Sequence, residues 1–387
     1  MNNLTAKPET IAAQGLGWID YKTRAITLPI HVSSTYLRDE DNQYRSGRVY
    51  ARADNPAFDQ AQAVITQLEN GADSMLFASG MAAATAVFQA LAPGDHVLAP
   101  KVMYWSLRNW LLNFATHWGL KVELVDMTDP KAVQAAIVPG STRLVWIETP
   151  ANPMWTITDI AVTADIAHAA GAVLAVDSTV ASPVLTRPLD LGADIVMHAA
   201  TKYLNGHSDL IAGVLVAREN NALWQRIRSI RAQLGGTLGS FEAWMLMRGM
   251  RTLFLRVRAA STSAQRLAEH FHGHPLVSEV LYPGLPGAQG HAVAARQMLG
   301  GFGGMLSVRV RGGEAAAVTT AAQVGLWKRA TSLGGTESLI EHRASVEGAG
   351  SPVPLDLLRL SVGIEDVQDL IDDLEQALRK AHPAQGA

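Results

Sequence analysis

The segment DIVMHAATKYLNGHSD carries an apolar run into a polar turn, and Lys202 stands just beyond the carboxyl end of that run. A lysine so placed can form an imine with a carbonyl compound, although a solvated surface lysine is the commoner use of this residue type. Upstream, AVLAVD ends on Asp177, a carboxylate at the tip of an otherwise apolar run, where it needs a cationic or hydrogen-bonding partner. A protonated ring nitrogen would serve. A third segment, SMLFASGMAAATAVF, puts Ser79, Gly80 and Met81 between an apolar run and a helix-forming stretch. Glycine lets an anion approach the backbone, and a helix amino end offers unpaired N–H groups and a favourable dipole. Taken alone, the Ser-Gly pair reads equally well as a capped turn.

These residues need a scaffold that brings them together. From Ser74 to about Val216, seven short apolar runs (SMLFAS, DHVLAP, KVELVD, RLVWIE, AVLAVD, DIVMH and GVLVA) alternate with helical stretches such as 81–91 and 159–170. Runs apolar on both faces predict a mostly parallel seven-stranded sheet covered by helices, an α/β fold whose ligands sit outside the carboxyl ends of the strands. A phosphate cradle, a lysine and an aspartate at three strand tips of one sheet match the needs of pyridoxal 5'-phosphate. That cofactor takes an imine-forming lysine, a carboxylate that keeps its ring nitrogen protonated, and a phosphate anchor. Asn55 and Pro56 predict a helix start, with Phe58, Ala61, Ile65 and Leu68 on one face up to Gly71. The residues before it show little apolar periodicity and read as an extended arm. After about Met250, MLSVRVR and LLRLSV alternate with period two, and Val367, Leu370, Ile371, Leu374 and Leu378 form an amphipathic stripe. The expected division is an arm over 1–54, a cofactor-binding large domain over 55–250 and a smaller C-terminal α+β domain over 251–387.

The motifs also lie in a longer colinear pattern. From about Pro29 to Leu378 the sequence resembles the pyridoxal-phosphate enzymes of cysteine and methionine metabolism, the trans-sulfuration enzymes that include cystathionine γ-synthase, cystathionine β- and γ-lyases and methionine γ-lyase. The blocks that carry the resemblance are TKYLNGHSD around Lys202, SLGGTESL from Ser332 and LLRLSVGIED around Arg359. It implies the aspartate-aminotransferase-like type I fold and a homotetramer built from pairs of dimers. It makes Lys202 the imine-forming lysine and proton shuttle, Asp177 the partner of the ring nitrogen with Thr179 nearby, and Gly80, Met81 and Thr201 the phosphate holders. Tyr50 and Arg52, in YAR, correspond to residues that cross to a neighbouring subunit's phosphate. Tyr104 corresponds to the tyrosine stacked on the ring and is the candidate acid or base, and Asn152 in ETPANP to the residue near the ring hydroxyl. Arg359 with Ser332 corresponds to the grip on the substrate α-carboxylate. Arg359 also makes sense unaided, since a fixed guanidinium between Leu358 and Leu360 is a good bidentate partner for a carboxylate, with a structural ion pair as the alternative.

Departures from the family pattern bear on the substrate. Ala199 stands where serine is usual, which removes one phosphate hydroxyl. Tyr104, Trp105, Ser106 and Leu107 replace a Tyr-Gly-Gly-Thr or Tyr-Gly-Cys-Thr stretch, which removes the cysteine associated with methionine γ-lyase and is expected to narrow the mouth with an indole. Asn109 stands at the usual arginine, with Arg108 one place early. Thr331 precedes Ser332 where the cystathionine synthase and γ-lyase branches carry a glutamate associated with the distal amino group of cystathionine. The expected activity is elimination, or replacement, at the γ carbon of an amino acid. A γ-lyase for a homoserine-, homocysteine- or related substrate, canavanine included, would give a 2-oxo acid or homoserine-type product. Cystathionine γ-synthase or O-acylhomoserine sulfhydrylase is the first alternative and cystathionine β-lyase the second. A non-catalytic binding or regulatory relative is opposed by the joint presence of Lys202, Asp177, Tyr104 and Arg359.

Composition narrows the remaining classes. The chain has 387 residues, 48% hydrophobic and 17% charged, enough to bury a large core in two or three domains. A net charge of -3 without runs of like charge gives no electrostatic footprint for nucleic acid or an anionic membrane. With no cysteine, disulfides and thiolate chemistry are excluded, and a cytoplasmic enzyme acting on a small amino acid is the expectation. His270, His272 and His274 alternate before Pro275 and are expected to be solvated surface histidines, so no metal site is assigned.

Overall fold

In the computed structural model, which describes residues 6–348 and 350–382, the Asn55 side chain accepts a hydrogen bond from the Ala57 amide at 2.8 Å and Pro56 fills the first turn. The helix Pro56–Leu68 therefore starts where its cap chemistry dictates, and it buries Phe58, Ala61, Ile65 and Leu68 against the large sheet. Residues 1–5 and 383–387, which the expected arm and C-terminal domain include, lie outside the described residues.

All seven apolar runs are strands: β1 Asp73–Phe77, β2 His96–Pro100, β3 Lys121–Val125, β4 Thr142–Glu148, β5 Val173–Asp177, β6 Ile195–His198 and β7 Gly213–Ala217. They form one sheet in the order β1-β7-β6-β5-β4-β2-β3, in which only β7 runs antiparallel to its neighbours. Helices cover both faces, with one buried cluster around Pro56–Leu68 and the other around the helix Gly80–Gln89, which explains why the strands read as continuous apolar runs. The carboxyl ends of β1, β4, β5 and β6 share one edge of this layer, so the chain that leaves them converges on one place.

A second sheet holds β8 Val277–Leu281, β9 Met305–Val310, β10 Lys328–Arg329, β11 Leu339–His342 and β12 Leu357–Ser361, in the order β10-β11-β12-β9-β8. Its pairs are antiparallel except β10 with β11. The amphipathic stripe predicted near the end is the helix Val367–Ala381, whose Leu370, Ile371, Leu374 and Leu378 are buried over this sheet. Register in β11 and β12 places Glu341 directly opposite Arg359. The two layers are tied by Ser307 on β9, which accepts from the Trp155 indole and donates to the Pro153 carbonyl, both at 2.8 Å.

The arm differs from the expectation at its start. Pro8–Gln14 is a helix followed by a turn of 3-10 helix at Gly15–Gly17, and Ile11, Ala12 and Leu16 are buried in the large-domain core. Short length and few apolar positions hide this anchor from a periodicity argument. Residues 18–54 are irregular and mostly exposed. Among the described residues, no helix is long and apolar enough to cross a membrane.

Candidate active site

Beyond β6 the chain turns tightly, with the Lys202 amide donating to the Ala199 carbonyl at 3.0 Å and the Asn205 amide to the Ala200 carbonyl at 3.0 Å. The turn aims Lys202 into a cavity of about 310 Å³ between the strand ends and the second sheet. Its Nζ donates to Ser332 Oγ at 2.7 Å. Burial, followed by the charge of Arg359, pushes the ammonium from its ordinary 10.5 down to about 8, so a substantial fraction is neutral near physiological pH. Ser332 has a φ of 84°, a left-handed conformation that favours glycine, and its carbonyl is fixed by Arg359 Nη2 at 2.8 Å.

Asp177 ends β5 inside the same cavity, where one carboxylate oxygen accepts the Thr179 amide at 3.0 Å and the other has no partner among the described residues. Burial raises its pKa. The adjacent strand brings up a carboxylate that the sequence reading missed. Glu148 ends β4 in register with Asp177, lines the cavity, and accepts the amides of Tyr104 at 2.7 Å and Asn152 at 2.9 Å. Burial and the neighbouring Asp177 charge push it up to about 8. The signal that found Asp177, an acid at the tip of an apolar strand, applies equally to RLVWIE.

Beyond β1 the Ser79 side chain caps the helix by accepting the Ala82 amide at 3.0 Å. The amides of Gly80 and Met81, both on the cavity wall, have no acceptor among the described residues. Gly80 must be glycine, because a Cβ there would lie 2.8 Å from the Ala199 Cβ. Thr179 Oγ1 accepts the Ala199 amide at 2.8 Å, which locks β5 to the lysine turn. Thr201 lines the cavity, but its hydroxyl pairs with Ala212, accepting from the amide at 3.0 Å and donating to the carbonyl at 3.2 Å. Pyridoxal phosphate fits this donor set. The open amides suit its phosphate, the unpartnered oxygen of buried Asp177 suits its ring N–H, and Lys202 suits its carbonyl carbon.

Opposite lies a buried charge cluster. Arg359 forms an ion pair with Glu341 at 2.6 Å and donates to the Ser332 carbonyl at 2.8 Å and, at 3.3 Å, to Asn152 Oδ1, while Arg343 pairs with Glu341 at 3.1 Å and Glu347 at 2.8 Å. Burial holds Arg359 down at about 10, still charged at neutral pH. Arg343, Glu341 and Glu347 carry no motif that isolates them in the sequence.

The structure therefore gathers Gly80, Met81, Tyr104, Asn152, Asp177, Thr179, Thr201, Lys202, Thr331, Ser332 and Arg359 around one cavity, as each lines it. Tyr50 and Arg52 are not among them. They are exposed on the arm, with the guanidinium 5.5 Å from the ring centroid. The indole of Trp105 is also absent from the cavity wall, contrary to expectation. It lies against Arg108, 5.1 Å from ring centroid to guanidinium carbon, and Leu107 faces the cavity in its place. His270 and His274 both face Glu375, at 2.9 and 3.1 Å, a carboxylate supplied by the last helix.

Known proteins resemble this chain in sequence and fold. A family model for Cys/Met metabolism PLP-dependent enzymes matches residues 9–379. A cystathionine gamma-synthase of Mycobacterium tuberculosis is 45% identical over 365 residues, 93% of each chain. A cystathionine gamma-lyase of Bacillus subtilis is 39% identical over 96% of this chain and 99% of its own. The crystal structure of cystathionine gamma synthase from Xanthomonas oryzae pv. oryzae, in complex with aminoacrylate and cysteine, superposes with a TM-score of 0.93 at 38% identity, covering 98% of this chain and 99% of the other. A cavity whose donors suit pyridoxal phosphate thus sits in a chain that matches such enzymes along nearly all its length, and the protein belongs to the pyridoxal-phosphate-dependent enzymes of cysteine and methionine metabolism.

Proposed function

We propose that the enzyme breaks the bond between the γ carbon of an amino acid and its substituent, by elimination to a 2-oxo acid and ammonia, on a substrate without a distal ammonium. The observation that carries the lyase reading is Lys202, which lines the cavity and is close enough to neutral at pH 8 to act as a base, and the γ carbon is favoured by the names of the relatives at 45% and 39% identity. Bound pyridoxal phosphate supplies the electron sink at the α carbon. Gly80 and Met81 would hold its phosphate through their amides, with Thr201 as a further phosphate holder, and Asp177, with Thr179, would keep its ring nitrogen protonated. Asn152 would serve its ring hydroxyl, and Arg359 and Ser332 would hold the substrate carboxylate. With the cofactor bound, Lys202 would remove the α proton, hand it on, and, neutral once more, take a β proton; the γ substituent would depart with its bonding pair and a proton from Tyr104, and water would release the 2-oxo acid and ammonia.

Thr331 on the cavity wall supports a substrate without a distal ammonium, since its hydroxyl brings no negative charge to the substrate's far end. Replacement at the same carbon, as in a cystathionine γ-synthase, is the second reading, favoured by the names of relatives at 45% identity. This reading includes a cytoplasmic homotetramer, divided into an arm over 1–54 and domains over 55–250 and 251–387. The arm supports the assembly. Ile26, Val32 and Leu37 are 79%, 84% and 93% exposed within one chain, an apolar surface that a second subunit would cover while Tyr50 and Arg52 reach its phosphate. The test is a panel of cystathionine, methionine, homocysteine, O-acylhomoserines and canavanine scored for 2-oxo acid. Oxo acid from a substrate other than cystathionine is expected. Turnover confined to γ-replacement with a thiol would support the second reading, and no turnover of any member would refute both.

A further inference from the structure

Arg343 is 4% exposed, yet it lines the cavity that holds Lys202. Its Nε donates to Glu347 Oε1 at 2.8 Å and its Nη1 to Glu341 Oε2 at 3.1 Å. Its Nη2 has no partner among the described residues, and the residue lines the cavity. The same Glu341 oxygen takes Arg359 Nη2 at 2.6 Å, so one carboxylate joins two guanidinium groups side by side. Glu347 is fixed in turn by the Ser351 hydroxyl, which donates to its other oxygen at 2.6 Å.

This arrangement poses an electrostatic problem for Arg359 as the sole grip on a substrate carboxylate. Glu341 already faces that guanidinium, so an incoming carboxylate meets a like charge beside its partner, in a buried setting that screens poorly. A second guanidinium with an open N–H, held beside the first by the same glutamate, offsets that repulsion and supplies a further charge-assisted hydrogen bond. We propose that Arg343 is a second substrate-binding residue, which donates through Nη2 to the α-carboxylate held by Arg359, and that Glu347 is the positioning residue that orients it. The inference rests on the reading that the holoenzyme binds an amino acid at Lys202. Arg343 lies outside every motif singled out in the sequence.

The experiment titrates the holoenzyme with L-norvaline and with L-norvalinamide, neither of which has a γ leaving group, and follows the visible absorbance of the bound cofactor. In Arg343→Gln/Glu347→Gln, the guanidinium and one of its two carboxylate partners are removed together, so net charge is kept and Glu341 stays paired with Arg359. Relative to wild type, the apparent Kd for norvaline should rise about 10- to 100-fold, the scale of one charge-assisted hydrogen bond, while that for norvalinamide stays within about twofold. Arg343→Lys, which keeps the charge but loses the planar fork, should show a smaller loss confined to norvaline, and it serves as the test if the double variant does not fold. Equal weakening of both ligands, or of neither, would overturn the proposal. A wild-type holoenzyme whose absorbance responds to neither ligand would overturn the amino-acid-binding reading itself, and this inference with it.

Discussion

Removing the charge of Lys202 should stabilise the cofactor-free protein, in a manner that depends on pH. The folded state holds this ammonium at about 8, against an ordinary 10.5, so between those values the unfolded chain binds more protons than the folded one. Unfolding free energy therefore rises with pH across that window, and the cost of burying the ammonium is fully present below pH 8 and gone above 10.5. The difference corresponds to roughly 3 kcal/mol at pH 7 and under about 1 kcal/mol at pH 10. Lys202→Met keeps much of the length and discards the charge. It also gives up the hydrogen bond to Ser332 Oγ, worth about 1 kcal/mol, so a net gain of about 2 kcal/mol is expected at pH 7 and none at pH 10. Urea unfolding of both proteins after removal of the cofactor, at the two pH values, measures it. Equal effects at both pH values, or destabilisation at pH 7, would show that the Lys202 environment does not disfavour the ammonium.

Three further outcomes follow from the site. Asp177→Asn should keep bound cofactor by absorbance but lose most turnover, since a neutral amide cannot hold a ring nitrogen protonated, and an unchanged rate would mean that another group does so. Gly80→Ala should raise the Kd for pyridoxal phosphate at least about tenfold by fluorescence titration, because the added methyl would sit 2.8 Å from the Ala199 Cβ and push the amide cradle outward. Co-expressed Arg52→Ala and Lys202→Ala chains, each inactive alone, should recover part of the activity in mixed oligomers, and no recovery in verified mixtures would place the arm on its own subunit's site.

What the sequence disclosed depended on whether a residue's surroundings are local. Most strands of the large sheet are covered on both faces and read as continuous apolar runs, whereas the edge strand β3 exposes Lys121 and Glu123. In the second sheet, β9 and β12 were legible through alternation, whereas β8 has an irregular register and β10 is two residues long, too little to carry a period. The chemistry-bearing tips followed the same rule. Lys202 and Asp177 stand at the ends of readable strands, and so does Glu148. Its proximity to Asp177 comes from β4–β5 pairing, which a sequence argument must first build. Arg343 and Glu347 lie in a short helix whose burial is set by β11, β12 and the cavity together. The Trp105 indole went elsewhere because Arg108, three residues on, offers a cation on the same helix face.

Thr331 provides the sharpest test of specificity, because it lies on the wall of the Lys202 cavity and also on that of a wider cleft of about 720 Å³ outside it. A γ substituent carried by a substrate at Lys202 would extend past this position. Thr331→Glu would put a carboxylate there, and a hydrogen bond from an ammonium to a carboxylate is worth about 1.5–3 kcal/mol when shielded. Thr331 is exposed, so the value falls to about 1 kcal/mol, and kcat/KM for cystathionine should rise about fivefold relative to the preferred substrate. The cleft already contains Asp209, Glu242 and Glu337, and the Glu337 carboxylate accepts the Ser208 hydroxyl. These acids supply the alternative. If the wild-type enzyme turned over cystathionine better than every other substrate, and Thr331→Glu gave no gain, the distal ammonium would be met by this acidic rim and position 331 would not set specificity. Glu337→Gln in the wild-type background separates the two cases, since it should leave a substrate without a distal ammonium unaffected and should lower cystathionine turnover only if the rim is the ammonium's partner.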